Sequence, residues 1–138
     1  MNFGISAESE QGFEETVNRV RSLLKEEGFG VLTEIDVKKT MKEKLDVEYQ
    51  NYIILGACNP QFANKALESD KEIGLLLPCN IIVYEEDKKT KVSAINPIVA
   101  MSIVENKEIE EVGKGVSEKL KRIIDSINDK KGESPWRK

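Results

Sequence analysis

Residues 49–60 read YQNYIILGACNP. The part from Tyr49 to Ala57 is rich in aromatic and β-branched residues, which predicts a central β-strand. Asn59 stands where a helix N-cap belongs and Pro60 stands at the first helical position, so we expect a helix to begin directly after this strand and to run to about Ser69. A strand followed at once by a helix indicates a domain that mixes both element types.

The chain before this stretch predicts two strands and two helices. Residues 2–6 alternate weakly, as in a short strand. A helix is expected from Ser9 to Glu27, where apolar residues recur along one face, and Gly28 follows in the position of a left-handed cap. The apolar residues of this face are Phe13, Val17, Val20 and Leu24. Residues 29–35 alternate as a strand, and Asp36 then caps a short helix.

The chain after Pro60 predicts a hairpin and a long helix. Strands are expected at residues 79–85 and 91–95, on either side of a charged turn. A helix is expected over residues 107–128, because its apolar residues recur at helical spacing. They are Ile109, Val112, Val116, Leu120, Ile123 and Ile127.

This order of elements predicts a single α+β domain over residues 1–128, in which helices cover one face of a mostly antiparallel sheet. The remaining residues, 129–138, are polar and include Gly132 and Pro135. We expect them to form a flexible tail.

The composition excludes several classes of function. The 138 residues include no histidine, so Ser-His-Asp catalysis, Cys-His catalysis and His-bearing zinc sites are excluded, and we expect neither a metal nor a cofactor. The net charge of −4 argues against a nucleic-acid partner. No apolar run has the length of a membrane span, and the first residues lack the pattern of a signal peptide. With two cysteines, the chain is expected to be cytoplasmic with reduced thiols.

Two segments, residues 58–60 and 78–80, combine Cys-Asn with a neighbouring proline. Unpaired amide groups at a helix start stabilise an anion, so the thiol of Cys58 could have a lowered pKa and act as a nucleophile. Asn80 could donate to a bound anion or carbonyl. The alternative interpretation is that Cys58 and Cys79 are small buried hydrophobic residues and that Asn59 only caps a helix.

Glu34 is a further candidate. Strict alternation places it on the strand face opposite Phe29, Val31 and Ile35. On a solvated face it is a surface carboxylate, whereas in a cleft it could act as a base or accept hydrogen bonds.

Three stretches together resemble the bacterial and archaeal family called domain of unknown function 302. They are residues 28–37 (GFGVLTEIDV), 54–60 (ILGACNP) and 73–85 (IGLLLPCNIIVYE), and the resemblance spans roughly residues 1–128. It implies a strand–helix–four strands–helix order similar to the TATA-binding-protein-like arrangement, and a homodimer. It also implies that the residues of the family pattern form one site: Glu34, Cys58, Asn59, Pro60, Pro78, Cys79 and Asn80.

Three functions follow from these observations. The first is binding of a small anionic or sulfur-containing ligand, in contact with Cys58, Asn59, Cys79, Asn80 and Glu34. The second is a thiol-dependent enzyme or sulfur carrier with Cys58 as nucleophile and Glu34 or a lysine assisting proton transfer. The third is a structural or partner-binding homodimer in which the cysteines only pack.

Overall fold

The structure is a computed structural model that describes residues 3–128. In chain order the elements are β1 Gly4–Ser9, α1 Phe13–Glu26, β2 Gly30–Asp36, α2 Val37–Leu45, β3 Tyr52–Cys58, α3 Pro60–Ser69, a 3₁₀ helix Lys71–Leu76, β4 Cys79–Glu86, β5 Lys89–Ile95, α4 Pro97–Met101 and α5 Lys107–Asn128. The tail expected over residues 129–138 lies outside the described residues.

The five strands form one sheet in the order β1-β5-β4-β3-β2, and every neighbouring pair is antiparallel. The first strand of the chain, β1, therefore pairs with the last strand, β5, and β2 lies at the other edge of the sheet. The predicted α+β class with an antiparallel sheet is confirmed, and so is the predicted order of elements.

The core lies between α5 and one face of the sheet. The apolar stripe predicted for residues 107–128 is buried throughout, since Ile109, Val112, Val116, Leu120, Ile123 and Ile127 are at most 5% exposed. Alternate residues of the central strands supply the other side of this core: Leu55, Ala57, Cys79, Ile81, Val83, Val92 and Ala94. Burial of each large aliphatic side chain contributes about 1.5–3 kcal/mol to stability.

A β-bulge in β2 changes which side chains share a face. The register passes from Val31 opposite Ala57 to Thr33 opposite Gly56, so one extra residue is inserted between them. Glu34 then lies opposite the buried Leu55, and residues directly opposite in an antiparallel pair share a face. The prediction that Glu34 lies on the other face from Val31 was wrong, because strict alternation carries no sign of an inserted residue.

The carboxylate of Glu27 links the end of α1 to α5. Two nitrogens of Arg122 on α5 donate to its carboxylate at 2.8 and 3.0 Å, and Lys119 Nζ lies 3.6 Å away. The hydrogen bond from Arg122 holds the pKa of Glu27 below its usual value. Gly28 follows with φ of 84°, which confirms the predicted left-handed cap.

We predict that Glu27→Gln destabilises the protein in a pH-dependent way. A carboxyl whose pKa is lowered by folding contributes stability above its unfolded-state pKa, about 4.3, and loses it as the pH falls through the folded-state pKa. Urea unfolding at about pH 7 should therefore show a loss of about 1 kcal/mol that fades as the pH falls below the unfolded-state value of about 4.3. Glu26→Gln, at the exposed neighbouring position, is the control and should change little. An equal loss of stability for Glu27→Gln at neutral and at acidic pH would contradict the stabilising role of the Glu27 carboxylate.

Candidate functional site

The pairing of β3 with β4 brings the two cysteines together. Ala57 lies directly opposite Cys79, so Cys58 is one residue further along the neighbouring strand. Cys58, Asn59 and Cys79 line one cavity of about 20 Å³. The two cysteines therefore lie beside the same cavity, where the end of β3 pairs with the start of β4.

This cavity is too small for a metabolite. A volume of about 20 Å³ is close to what one water molecule needs. The remaining lining is largely hydrophobic: Phe29, Ala57, Phe62, Ala63, Ala66, Leu77, Met101, Val112 and Val116. The space between the cysteines therefore belongs to the core.

Burial governs the chemistry of both thiols. It raises the pKa of Cys58, which is partly exposed, from its ordinary value. Burial, with a smaller contribution from the neighbouring Cys58, raises the pKa of Cys79 to about 11. The shift at Cys58 is opposite in direction to the lowering that a helix start was expected to cause, and both thiols are protonated near neutral pH.

Asn59 occupies the N-cap position of α3, with Pro60 next in the first helical position, as predicted. Its side chain nevertheless makes no hydrogen bond to its own helix. Asn59 Nδ2 instead donates to the backbone oxygen of Glu27 at 3.3 Å. Asn59 therefore links the end of α1 to the start of α3 through its side-chain amide nitrogen.

A larger groove lies on the other side of Cys79. It has a volume of about 290 Å³ and shares Leu77, Cys79 and Met101 with the small cavity. Its other lining residues are Leu75, Leu76, Pro78, Asn80, Ile95, Pro97 and Ala100. Sequence reasoning found Pro78, Cys79 and Asn80 but missed the rest. The apolar run Ile73–Pro78 was an available signal for residues 75–77, and none was available for those at 95–101.

Gly56 permits the close packing behind this groove. It lies opposite Asn80, and a Cβ atom placed on Gly56 would come within 2.8 Å of Pro78 Cγ and would also collide with Thr33 Oγ1. The bulged strand β2 and the segment at Pro78 can therefore approach β3 only because this position has no side chain.

Glu34 lies away from the cysteines. Its carboxylate accepts a hydrogen bond from Arg21 Nη2 on α1, and both residues line a separate cavity of about 400 Å³. Its partner in the register, Leu55, is three residues from Cys58, about 10 Å along the strand. The structure thus brings Cys58, Asn59, Cys79 and Asn80 to one region and places Glu34 elsewhere.

Within residues 3–128 no group of three or more Cys, Asp or Glu side chains is arranged to hold a metal ion. None of the described helices combines the length and the apolar character needed to cross a membrane.

The architecture defines a small α+β domain in which cysteines from adjacent strands line a small cavity at one end of an antiparallel sheet, and one of them, Cys79, also borders a larger groove. The family model of the domain of unknown function DUF302 matches residues 5–127, and the chain belongs to this family. A similar solved structure is that of an uncharacterized conserved DUF302 protein from Bacillus stearothermophilus, with 29% identity and a TM-score of 0.86. The match covers 92% of this chain and 99% of that chain. No curated protein matches the sequence.

We predict that neither thiol of the folded protein is activated. Alkylation of Cys58, measured in a Cys79→Ala variant, should rise only above the ordinary thiol pKa of about 8.5, because burial favours the neutral form. Cys79, measured in a Cys58→Ala variant, should react later, near its pKa of about 11 or on unfolding. A labelling midpoint below about 8.5 for either cysteine would restore the case for a thiolate nucleophile.

Proposed function

We propose that the protein binds a small, largely apolar molecule in the groove bordered by Cys79 and Asn80. The observation that carries this proposal is the groove itself, whose volume of about 290 Å³ is near the lower end of the range for small-molecule sites. Its wall is hydrophobic apart from a single amide, that of the exposed Asn80. Such a wall with one polar group is the usual construction of a ligand pocket.

The lining favours an uncharged or sulfur-containing ligand over an anion. None of the described residues that line the groove is Lys or Arg. Cys79 and Met101 supply polarisable sulfur atoms, which favour apolar and sulfur-containing groups. Asn80 would orient the ligand by hydrogen bonding its one polar group.

A thiol-dependent enzyme or sulfur carrier is less well supported. Burial raises the pKa of Cys58, and Glu34, the proposed base, pairs with Arg21 at another cavity. A nucleophilic thiol needs an adjacent base or a lowered pKa. These observations favour binding over catalysis by Cys58.

We predict that an apolar dye reports the groove. N-phenylnaphthylamine should bind with a fluorescence increase, and anilinonaphthalene sulfonate, which carries an added negative charge, should bind no more tightly. Ala100→Phe fills the groove and should weaken both by at least about tenfold, equivalent to about 1.4 kcal/mol.

Ser102→Phe is the matched control, because it adds the same ring just beyond α4, at an exposed position outside the groove lining. Asn80→Leu, at an exposed position, tests the polar contact and should weaken the sulfonate more than the uncharged dye. The groove would be rejected as the binding site if Ala100→Phe left dye binding unchanged and also left the unfolding midpoint unaltered.

We also propose that the chain forms a homodimer, as the family resemblance implies, through β2, α2 and the two residues that follow α2, Asp46 and Val47. Four large hydrophobic side chains in this segment are exposed: Leu32, Ile35, Leu45 and Val47. β2 is also an edge strand. An exposed apolar surface beside an edge strand is typical of an association surface.

We propose a cytoplasmic location as well, which the two free thiols support.

We predict that Leu45→Lys shifts the protein towards monomer in sedimentation velocity. A buried, unpaired charge at an interface is costly, so dissociation should appear at concentrations where the unaltered protein is dimeric. Ile103→Lys is the control, since Ile103 is 74% exposed, close to the 67% of Leu45, but lies outside this segment. A monomeric unaltered protein, or equal effects of both variants, would exclude this surface.

A further inference from the structure

We propose a second binding site, for a compact organic cation with a substituted ammonium group. It lies at the ends of β3 and β4 that are away from Cys58 and Cys79. The tyrosine pocket, as we call it, has a volume of about 420 Å³. Its lining is Glu48, Tyr49, Gln50, Tyr52, Tyr84, Glu85 and Glu86. It therefore includes all three tyrosines of the chain and three carboxylates.

The three rings form one continuous aromatic surface. Tyr52 and Tyr84 are directly opposite each other on β3 and β4, with ring centroids 5.3 Å apart and planes at 22°. Tyr49 meets Tyr52 edge-on, with centroids 6.3 Å apart and planes at 64°. The three rings that line the pocket therefore lie in two different orientations, and the negative face of an aromatic ring attracts a cation.

The charges around the pocket reinforce this preference. None of the described lining residues is basic. Glu48 and Glu86 are each paired at 2.8 Å with a lysine that does not line the pocket, Lys42 and Lys91 respectively. Glu85 accepts a hydrogen bond from the neutral amide of Asn51 at 2.5 Å and has no ion pair with a described cation. The negative charge of Glu85 is thus held in place without being compensated.

The ligand class follows from combining rings and carboxylate. A bare metal ion would need several oxygen ligands, and no suitable group of acidic side chains exists in residues 3–128. A substituted ammonium suits the pocket because its alkyl groups can cover the tyrosine rings while its charge lies near Glu85. A tyrosine pair across two strands also stabilises a sheet, so the test must separate binding from packing.

Choline chloride is the probe, and proton–nitrogen NMR shifts of residues lining the pocket are the readout. The uncharged isostere, in which carbon replaces the choline nitrogen, and sodium chloride are titrated in parallel. Choline should give saturable shifts at Tyr49, Tyr52 and Tyr84, and the isostere should bind at least about tenfold more weakly. Equal binding of choline and the isostere, or shifts that sodium chloride reproduces, would overturn the proposal.

Variants separate the contributions of charge and ring. Glu85→Gln keeps the shape of the side chain and should weaken choline by about tenfold without affecting the isostere. Glu110→Gln removes the same charge from the exposed surface of α5 and should have no effect. Tyr49→Leu removes a ring that is 45% exposed, so the fold should persist while choline binding falls. Full choline binding by both Glu85→Gln and Tyr49→Leu would overturn the site.

The same ammonium group occurs on free metabolites and on lipid headgroups, and a vesicle experiment distinguishes these sources. Retention of the protein on phosphatidylcholine vesicles, released by free choline, assigns the headgroup. Choline binding without retention assigns a free metabolite. Absence of both would overturn the proposal, and dye binding in the groove at Cys79 would be unaffected by that result.

Discussion

The packing of α5 on one face of the sheet is the interaction on which the rest of the structure depends. Its apolar stripe and the inward residues of β3, β4 and β5 form a single buried layer. Cys79 belongs to that layer, beside Ile81, and is 7% exposed. The chemistry of its thiol is therefore set by the core: the same loss of solvent that stabilises the fold favours the neutral thiol.

Sequence reasoning succeeded where local rules act alone. The spacing of Ile109 to Ile127 predicts α5, and Asn59-Pro60 predicts the start of α3, because helical periodicity and capping depend on neighbours in the chain. It failed at Glu34, whose face is set by a bulge against β3, and at the side chain of Asn59, whose partner is a carbonyl from α1. Both depend on tertiary register, which one strand or one helix does not encode by itself.

The candidate sites were predictable to a similar extent. The repeated Cys-Asn segments indicated Cys58 and Cys79, which the register of β3 with β4 does bring together. The groove was missed because its walls come from two separate stretches of the chain, residues 75–80 and 95–101. The tyrosine pocket was missed for the same reason, since Tyr84 is 32 positions beyond Tyr52 in sequence but directly opposite it in the sheet.

The two proposed sites share β4, yet they can act independently. Asn80 of the groove and Tyr84 of the tyrosine pocket are four residues apart on this strand, a separation of roughly 13 Å. Sites more than about 10 Å apart with no shared partners usually contribute additively to free energy. Between them the strand is held on its inner face by the buried Ile81 and Val83, so coupling would require the core itself to adopt a second arrangement. A close-packed layer resists such a change, and we therefore interpret the sheet as a rigid support that carries different chemistry at its two ends.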